Sequence, residues 1–327
     1  MREVAIFYNM KKKILVGGQA VIEGVMIRVP GAYATAVRKE DGSIEISRNS
    51  FISLTEQFAL LKKPLLRGVI ALFESLKIGL STLQFSADVA LREENLAKGK
   101  PEQKEKPLIS ILTTTFALLL GILLFVVLPL YITTRLLNVE KMALAFNLVA
   151  GGWRMLFFLV YLWLISLMKD IQRLFQYHGA EHKVVFTFES GQELTVANTR
   201  SFTTHHPRCG TSFIFIILLA SILMYALIDT GIIFVLGRIT LSLRIIFHLL
   251  LLPLVAGAAY ELLKITAKYQ NQWWGRWLSA PGLWLQRITT KPPTDDQIEV
   301  AIAALRAAFG DRYQEHVGQS FVADAVE

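Results

Sequence analysis

The sequence predicts an α-helical polytopic membrane protein with four transmembrane helices and a cytoplasmic α+β portion containing β-hairpins. Three observations predict it. The 327 residues are 53% hydrophobic and only 18% charged, where a soluble domain carries about a quarter charged residues. The apolar excess is concentrated in long runs, close to the ~20 residues that a bilayer core demands of a helix. Lysines and arginines alternate between the connections, 17 before the first run, then 3, 5 and 2, and 7 after the last. That alternation fits the positive-inside rule for an even number of spans, with both termini and the central connection cytoplasmic.

Taken in order, residues 1–60 are expected to form a cytoplasmic β-rich region. The stretch ATAVRKEDGSIEISR places two alternating strands around Asp41 and Gly42, a dipeptide suited to a tight hairpin. Ahead of it, GGQAVIEGVMIR sets Glu23 among apolar neighbours, either to serve a site or to pair with Arg28. Its glycines permit positive φ or close backbone approach. Residues 61–107 read as an amphipathic membrane-surface helix, over 65–87, followed by a charged, solvated linker EENLAKGKPEQKEKP. Residues 1–19 do not read as a signal peptide.

Residues 108–168 hold the first two spans, 108–131 and about 148–168, the second interrupted only by Arg154, which is expected to snorkel. Residues 169–211 form a cytoplasmic histidine-rich segment with a hairpin in 183–198 around Ser190 and Gly191. Residues 212–263 hold spans three (213–236, with Asp229) and four (about 245–260, with His248 and Pro253). His248, lone on an apolar helix, reads as a packed core histidine. Residues 264–327 are a cytoplasmic helical tail, in which Thr294 caps a helix with Asp295 and Asp296 in its first turn. Ile298, Ile302 and Leu305 make its apolar stripe and Gly310 ends it.

Four of the six histidines fall in the central cytoplasmic segment: His178, His182, His205 and His206. The first two are i and i+4, so on a helix they share a face and can bind one metal ion. With Glu181 they follow the order H-x-x-E-H of inverted zinc metallopeptidase motifs. A carboxylate there can take a proton from a water that a metal has acidified. Two histidines need a third ligand, and His205, His206 or the single cysteine Cys209 can supply it. Glu261 offers a carboxylate, and Arg208 favours an anion nearby. The bland alternative is that these histidines only bond carbonyls or lipid headgroups. A single cysteine excludes an intramolecular disulfide framework.

GGQAVIEGVMIR, YHGAEHK, HHPRCGTSF and AAYELLK, in that order, resemble the YqhQ family of bacterial membrane proteins, across roughly residues 12–290. The resemblance implies a metal-dependent enzyme of the bacterial cytoplasmic membrane. It points to Gln19 and Glu23 in the first motif and to His178, Glu181 and His182 in the second. The third contributes His205, His206, Arg208 and Cys209, and the fourth Glu261.

The expected function is a zinc-dependent (or other divalent transition metal) hydrolase acting at the cytoplasmic membrane face on a peptide or lipid, with Glu181 as general base. A non-enzymatic assembly factor or chaperone is the alternative, and a transporter or channel the weaker one. The net charge of +8 is assigned to anionic lipid rather than nucleic acid; other membrane proteins are further candidate partners.

Overall fold

The computed structural model describes residues 14, 16–99, 107–136, 142–206, 209–269 and 272–320. Its N-terminal region is built on a four-stranded antiparallel meander, β1 (Gly17–Val21), β2 (Gly24–Val29), β3 (Ala32–Arg38) and β4 (Ile44–Ser50), paired in sequence order. The Asp41–Gly42 turn is where the sequence placed it. Gly42 has φ of 83°, and Asp41 Oδ1 accepts the Ser43 N–H at 2.8 Å. The β1–β2 turn is tighter, with Val21 paired to Gly24 and Glu23 in the left-handed region at φ 52°. Gly24 is required by close approach, since a Cβ there would lie 2.2 Å from the Ala36 carbonyl oxygen.

Alternation along β2 and β3 fills both faces of the sheet. Val25, Ile27, Val29, Ala32, Ala34 and Ala36 face a core completed by the C-terminal helix and the histidine-bearing helix. Val21 and Val37 face the other way, onto Val89. The C-terminal helix is α12 (Asp295–Phe309), with a capping box between Thr294 and Gln297 and Gly310 at its end, as its sequence signals. Ile298, Ala301, Ile302 and Leu305 pack it onto the sheet.

After a single turn, α1 (Leu54–Gln57), the amphipathic segment forms α2 (Leu66–Ala97), longer than expected at its linker end. Glu93 to Ala97 belong to the helix, not to a linker, and Lys98 caps it; residues 100–106 of that charged run lie outside the described residues. Gly68, Glu74, Ile78, Thr82, Ser86 and Val89 recur at helical spacing and are buried, while Phe73, Leu76, Leu80 and Leu83 stay exposed.

Among the described residues, three helical segments are long and apolar enough to cross a membrane, and a fourth if one bent pair counts as a single span. The first joins α3 (Pro107–Ile122) to α4 (Leu128–Leu136) through a π turn, Leu123–Val127. Pro129 lacks the N–H that would continue the ladder, and a π turn is one way a helix absorbs such a gap. The second is α5 (Ala143–Ser166) and the third α8 (Gly210–Leu236). The bent pair is α9 (Leu241–Leu250) and α10 (Leu252–Lys268), with 55° between its halves. Pro253 stands at the second position of α10, where it forfeits no helical hydrogen bond.

The second span stops at Ser166, close to its expected end, and the histidines stand on a separate helix, α6 (Lys169–Glu189). Two expectations are corrected. There is no hairpin in 183–198, because α6 runs through Glu189, followed by the short α7 (Val196–Arg200). The apparent alternation in KVVFTFE hid a helical period, with Tyr177, Val184 and Phe188 all reaching the sheet core; Gly191, at φ 74°, follows the end of the helix rather than turning a hairpin. Arg154 does not snorkel. It is 4% exposed, for reasons taken up below.

Candidate metal centre

Helix α6 packs one face on the sheet and presents His178 and His182 along its length, one turn apart, with ring centroids 4.5 Å from each other. Two backbone approaches make room for it. A Cβ on Gly179 would lie 2.2 Å from the Lys291 carbonyl oxygen, and one on Gly18 would meet Glu181 Cγ at 3.0 Å. Glycine at both positions lets β1 and the chain entering α12 close on either side of the helix. A further helix, α11 (Trp273–Thr289), ends beside His178.

Two carbonyls orient the imidazoles. His178 Nδ1 lies 2.8 Å from the Thr289 oxygen, and His182 Nδ1 lies 2.5 Å from the Thr204 oxygen. A carbonyl only accepts, so each Nδ1 carries the proton and each Nε2 keeps a lone pair. Such outer hydrogen bonds are how metal-binding histidines are held in a fixed tautomer. Cys209, buried, is the N-cap of α8, so that its sulfur sits at the positive end of that helix. Its Sγ is 3.2 Å from His178 Nε2. Ligand atoms of His178, His182 and Cys209 all lie within 4.8 Å of one another. Two imidazole nitrogens and a sulfur are a donor set that could hold a transition-metal ion.

Glu181 is buried beside them, its Oε2 3.5 Å from His182 Nε2. A lone pair and a carboxylate so close are compatible when a cation or a proton lies between them.

The other expected residues sit elsewhere. His206 is buried between Phe186 and His182, with ring centroids 4.4 and 5.5 Å away, and its Nε2 points to Glu189 at 3.7 Å. It is therefore turned from the three ligand atoms. His205 is half-buried; burial first, then Arg287 and His182, hold it below the usual histidine range. Glu261 is not at the centre at all. It is paired with Arg67 of α2 and accepts the Leu65 N–H at 3.3 Å. Gln19 donates to Thr82 Oγ1 at 2.7 Å, docking β1 on α2. Glu23 does not pair with Arg28, whose guanidinium stacks over Phe51. It is instead paired with Arg173, and the Tyr177 hydroxyl donates to it at 3.2 Å. Burial and the Glu23 charge push the Tyr177 hydroxyl well above the usual phenol range. Arg208 lies outside the described residues.

One contributor had no signal in the sequence. Gln286 of α11, fully buried, accepts the His206 N–H at 2.7 Å and donates to the His206 carbonyl at 2.8 Å. This two-sided amide clamp holds the loop that carries Cys209.

Residues 63–311 match the family described as protein of unknown function DUF1385. The "Uncharacterized protein YqhQ" of Bacillus subtilis (strain 168) is 32% identical over 296 residues, 88% of this chain and 89% of the relative. The chain belongs to the YqhQ family. The family match reaches residue 311, beyond the expected limit near 290, and so takes in α12. That extension is physical sense, since α12 completes the core on which α6 rests. No solved structure matches the chain.

Proposed function

We propose that the chain is a metal-dependent hydrolase of the bacterial cytoplasmic membrane, with a zinc-class ion held by His178, His182 and Cys209. One observation carries the reading: two imidazole lone pairs and a sulfur converge, while both Nδ1 protons are tied to backbone carbonyls. Three protein ligands leave a fourth position open, the arrangement of catalytic rather than structural zinc. When bound, such an ion acidifies water and polarises a carbonyl or phosphoryl oxygen. The chain's own part falls to Glu181, whose Oε2 takes the proton of the attacking water and returns it to the leaving group. Thr204 and Thr289 hold the imidazoles in the tautomer that this requires.

A multi-pass membrane location is supported by the apolar segments and by the alternating lysine and arginine counts. Exposed Leu112, Phe116 and Leu119 on α3, and Phe73, Leu76 and Leu80 on α2, suit contact with acyl chains and an anionic lipid surface. With both termini cytoplasmic, the metal centre sits at the cytoplasmic face and takes a peptide or lipid presented there.

The test is metal content by mass spectrometry of detergent-purified protein, beside an H178A/H182A double variant. About one transition-metal ion per chain, lost in the variant, is expected, followed by hydrolysis of membrane peptides or lipids that E181Q abolishes. Metal-free wild type that takes up no zinc on re-addition would remove the enzyme reading and leave a membrane assembly factor.

A further inference from the structure

Helix α11 turns two unlike faces to its surroundings. Gly275, Gly282, Leu285, Gln286 and Thr289 are buried and recur at helical spacing. On that side Leu285 and Ile288 share one apolar cluster with Leu162 and Ile165, in the last turns of α5, and with Phe215, in the first turns of α8. The helix therefore lies against the ends of two candidate spans. For an α5 and α8 that cross a bilayer, this is the depth at which hydrocarbon gives way to headgroups.

The opposite face consists of Trp273, Arg276, Trp277, Ala280, Trp284 and Arg287, all exposed. At about 100° per residue the three tryptophans fall within about 40° of arc, and the two arginines border it on one side. Trp273 and Trp277 are each 78% exposed and Trp284 51%. Contiguous exposed apolar surface of this kind marks a contact site.

Charge and residue type identify what covers it. From residue 262 to 294 the chain carries five cations, Lys264, Lys268, Arg276, Arg287 and Lys291, and no acid. A complementary surface is anionic, whereas a second copy would set this cationic face against its like. Indole rings favour the level of lipid headgroups, and guanidinium groups pair with phosphate through two parallel N–H donors. At the same end of α5, Trp163, Leu167 and Met168 are exposed as well.

We propose that α11 is an interfacial helix seated on anionic lipid, with its tryptophans at the boundary of acyl chains and headgroups and Arg276 and Arg287 on lipid phosphate. The proposal rests on the membrane location proposed above and is independent of any metal. The buried side of the same helix bears Gln286, which holds the His206 loop, and its end bears Thr289, which orients His178. The lipid surface and the histidine cluster are thus served by opposite sides of one helix.

Tryptophan quenching by brominated lipid tests it, on full-length protein in nanodiscs of phosphatidylcholine with a minor fraction of phosphatidylglycerol. Of the six tryptophans, W153F/W163F leaves only the four of α11, and W273F/W274F/W277F/W284F leaves only the two of α5. Bromine is carried either by the phosphatidylglycerol or by an equal fraction of the phosphatidylcholine, so that the lipid composition stays constant. In W153F/W163F both probes are expected to quench, brominated phosphatidylglycerol about twofold more, because basic residues gather anionic lipid. Adding R276Q is expected to lower that preference. Equal quenching by the two probes, or a preference unmoved by R276Q, overturns the proposal. Unquenched α11 beside quenched α5 also overturns it, leaving the membrane location standing and assigning the face to a protein partner or a second copy. If neither helix is quenched, the membrane location itself fails and the proposal with it.

Discussion

Helix α8 carries a polar cluster at each end, and the two are opposites in what they offer. At the Cys209 end, lone pairs gather: two Nε2 atoms, a sulfur and, beside them, a carboxylate, with the available protons turned outward to Thr204 and Thr289. At the Asp229 end, donors gather: two guanidiniums, an amide and an imidazole N–H around one carboxylate. The first arrangement is rich in acceptors and the second in donors. The comparison teaches that a site's chemistry is read from the balance of its donors and acceptors, rather than from its residue types alone. Histidine sits in both clusters and plays opposite parts, set by whether its neighbour is a carbonyl or an arginine.

The largest effect is expected where the comparison is broken at the Asp229 end. D229N takes the carboxylate charge from Arg244 and His248 and should cost about 3–5 kcal/mol, measured by denaturant unfolding in detergent. At the Cys209 end the same experiment should separate binding from stability. C209A is expected to lose the bound metal on dialysis, while metal-free wild type and variant unfold within about 1–2 kcal/mol of each other. Equal and large destabilisation by both variants would erase the distinction between a charge clamp and a ligand set.

Between these lie the residues that position the metal centre. G179A forces a Cβ against the Lys291 carbonyl and should cost about 1–3 kcal/mol, with weaker metal affinity because Thr289 is displaced in the same movement. Q286A removes the acceptor of the His206 N–H and one of the donors to its carbonyl and is expected to cost about 1–3 kcal/mol; metal titration should show affinity lowered by about tenfold, partly restored in Q286E. The smallest effect belongs to Arg200 and Asp295, an exposed pair whose side chains belong to neither cluster. R200A should change stability by no more than about 1 kcal/mol, and sets the scale against which the buried changes are judged.

Much of this was legible in the sequence where the signal is local. Period-two alternation and Asp41–Gly42 give the β3–β4 hairpin, and Thr294 to Gly310 gives α12 with both of its ends. The i, i+4 spacing puts His178 and His182 together, but that Cys209 rather than His205 or His206 joins them was left open by the sequence. What was not legible depends on distant partners. The backbone carbonyls that orient His178 and His182 leave no mark on residue identity, because any residue supplies a carbonyl. Glu261 is drawn to Arg67, almost two hundred positions away, and nothing near either announces it. In 183–198 the residues fit two periods, and only the sheet lying beneath α6 selects the helical one. Arg154 reads as a snorkelling residue until Asp229 and His248 are known to lie opposite.

The bend between α9 and α10 bears on how the chain is made. On the reading proposed here, Leu241–Leu250 must enter a bilayer carrying Arg244 and His248, and a lone arginine at mid-membrane costs about 2.5–3.5 kcal/mol on insertion scales. Ribosomal synthesis delivers α8, and with it Asp229, before α9 emerges. The carboxylate is therefore already in place to receive the arginine, and the two helices enter more cheaply as a hairpin than one after the other. The Tyr225 hydroxyl, 2.8 Å from the His248 carbonyl, meets that backbone group next to the break. Translation order thus becomes part of the folding mechanism, because the acid precedes the base that needs it.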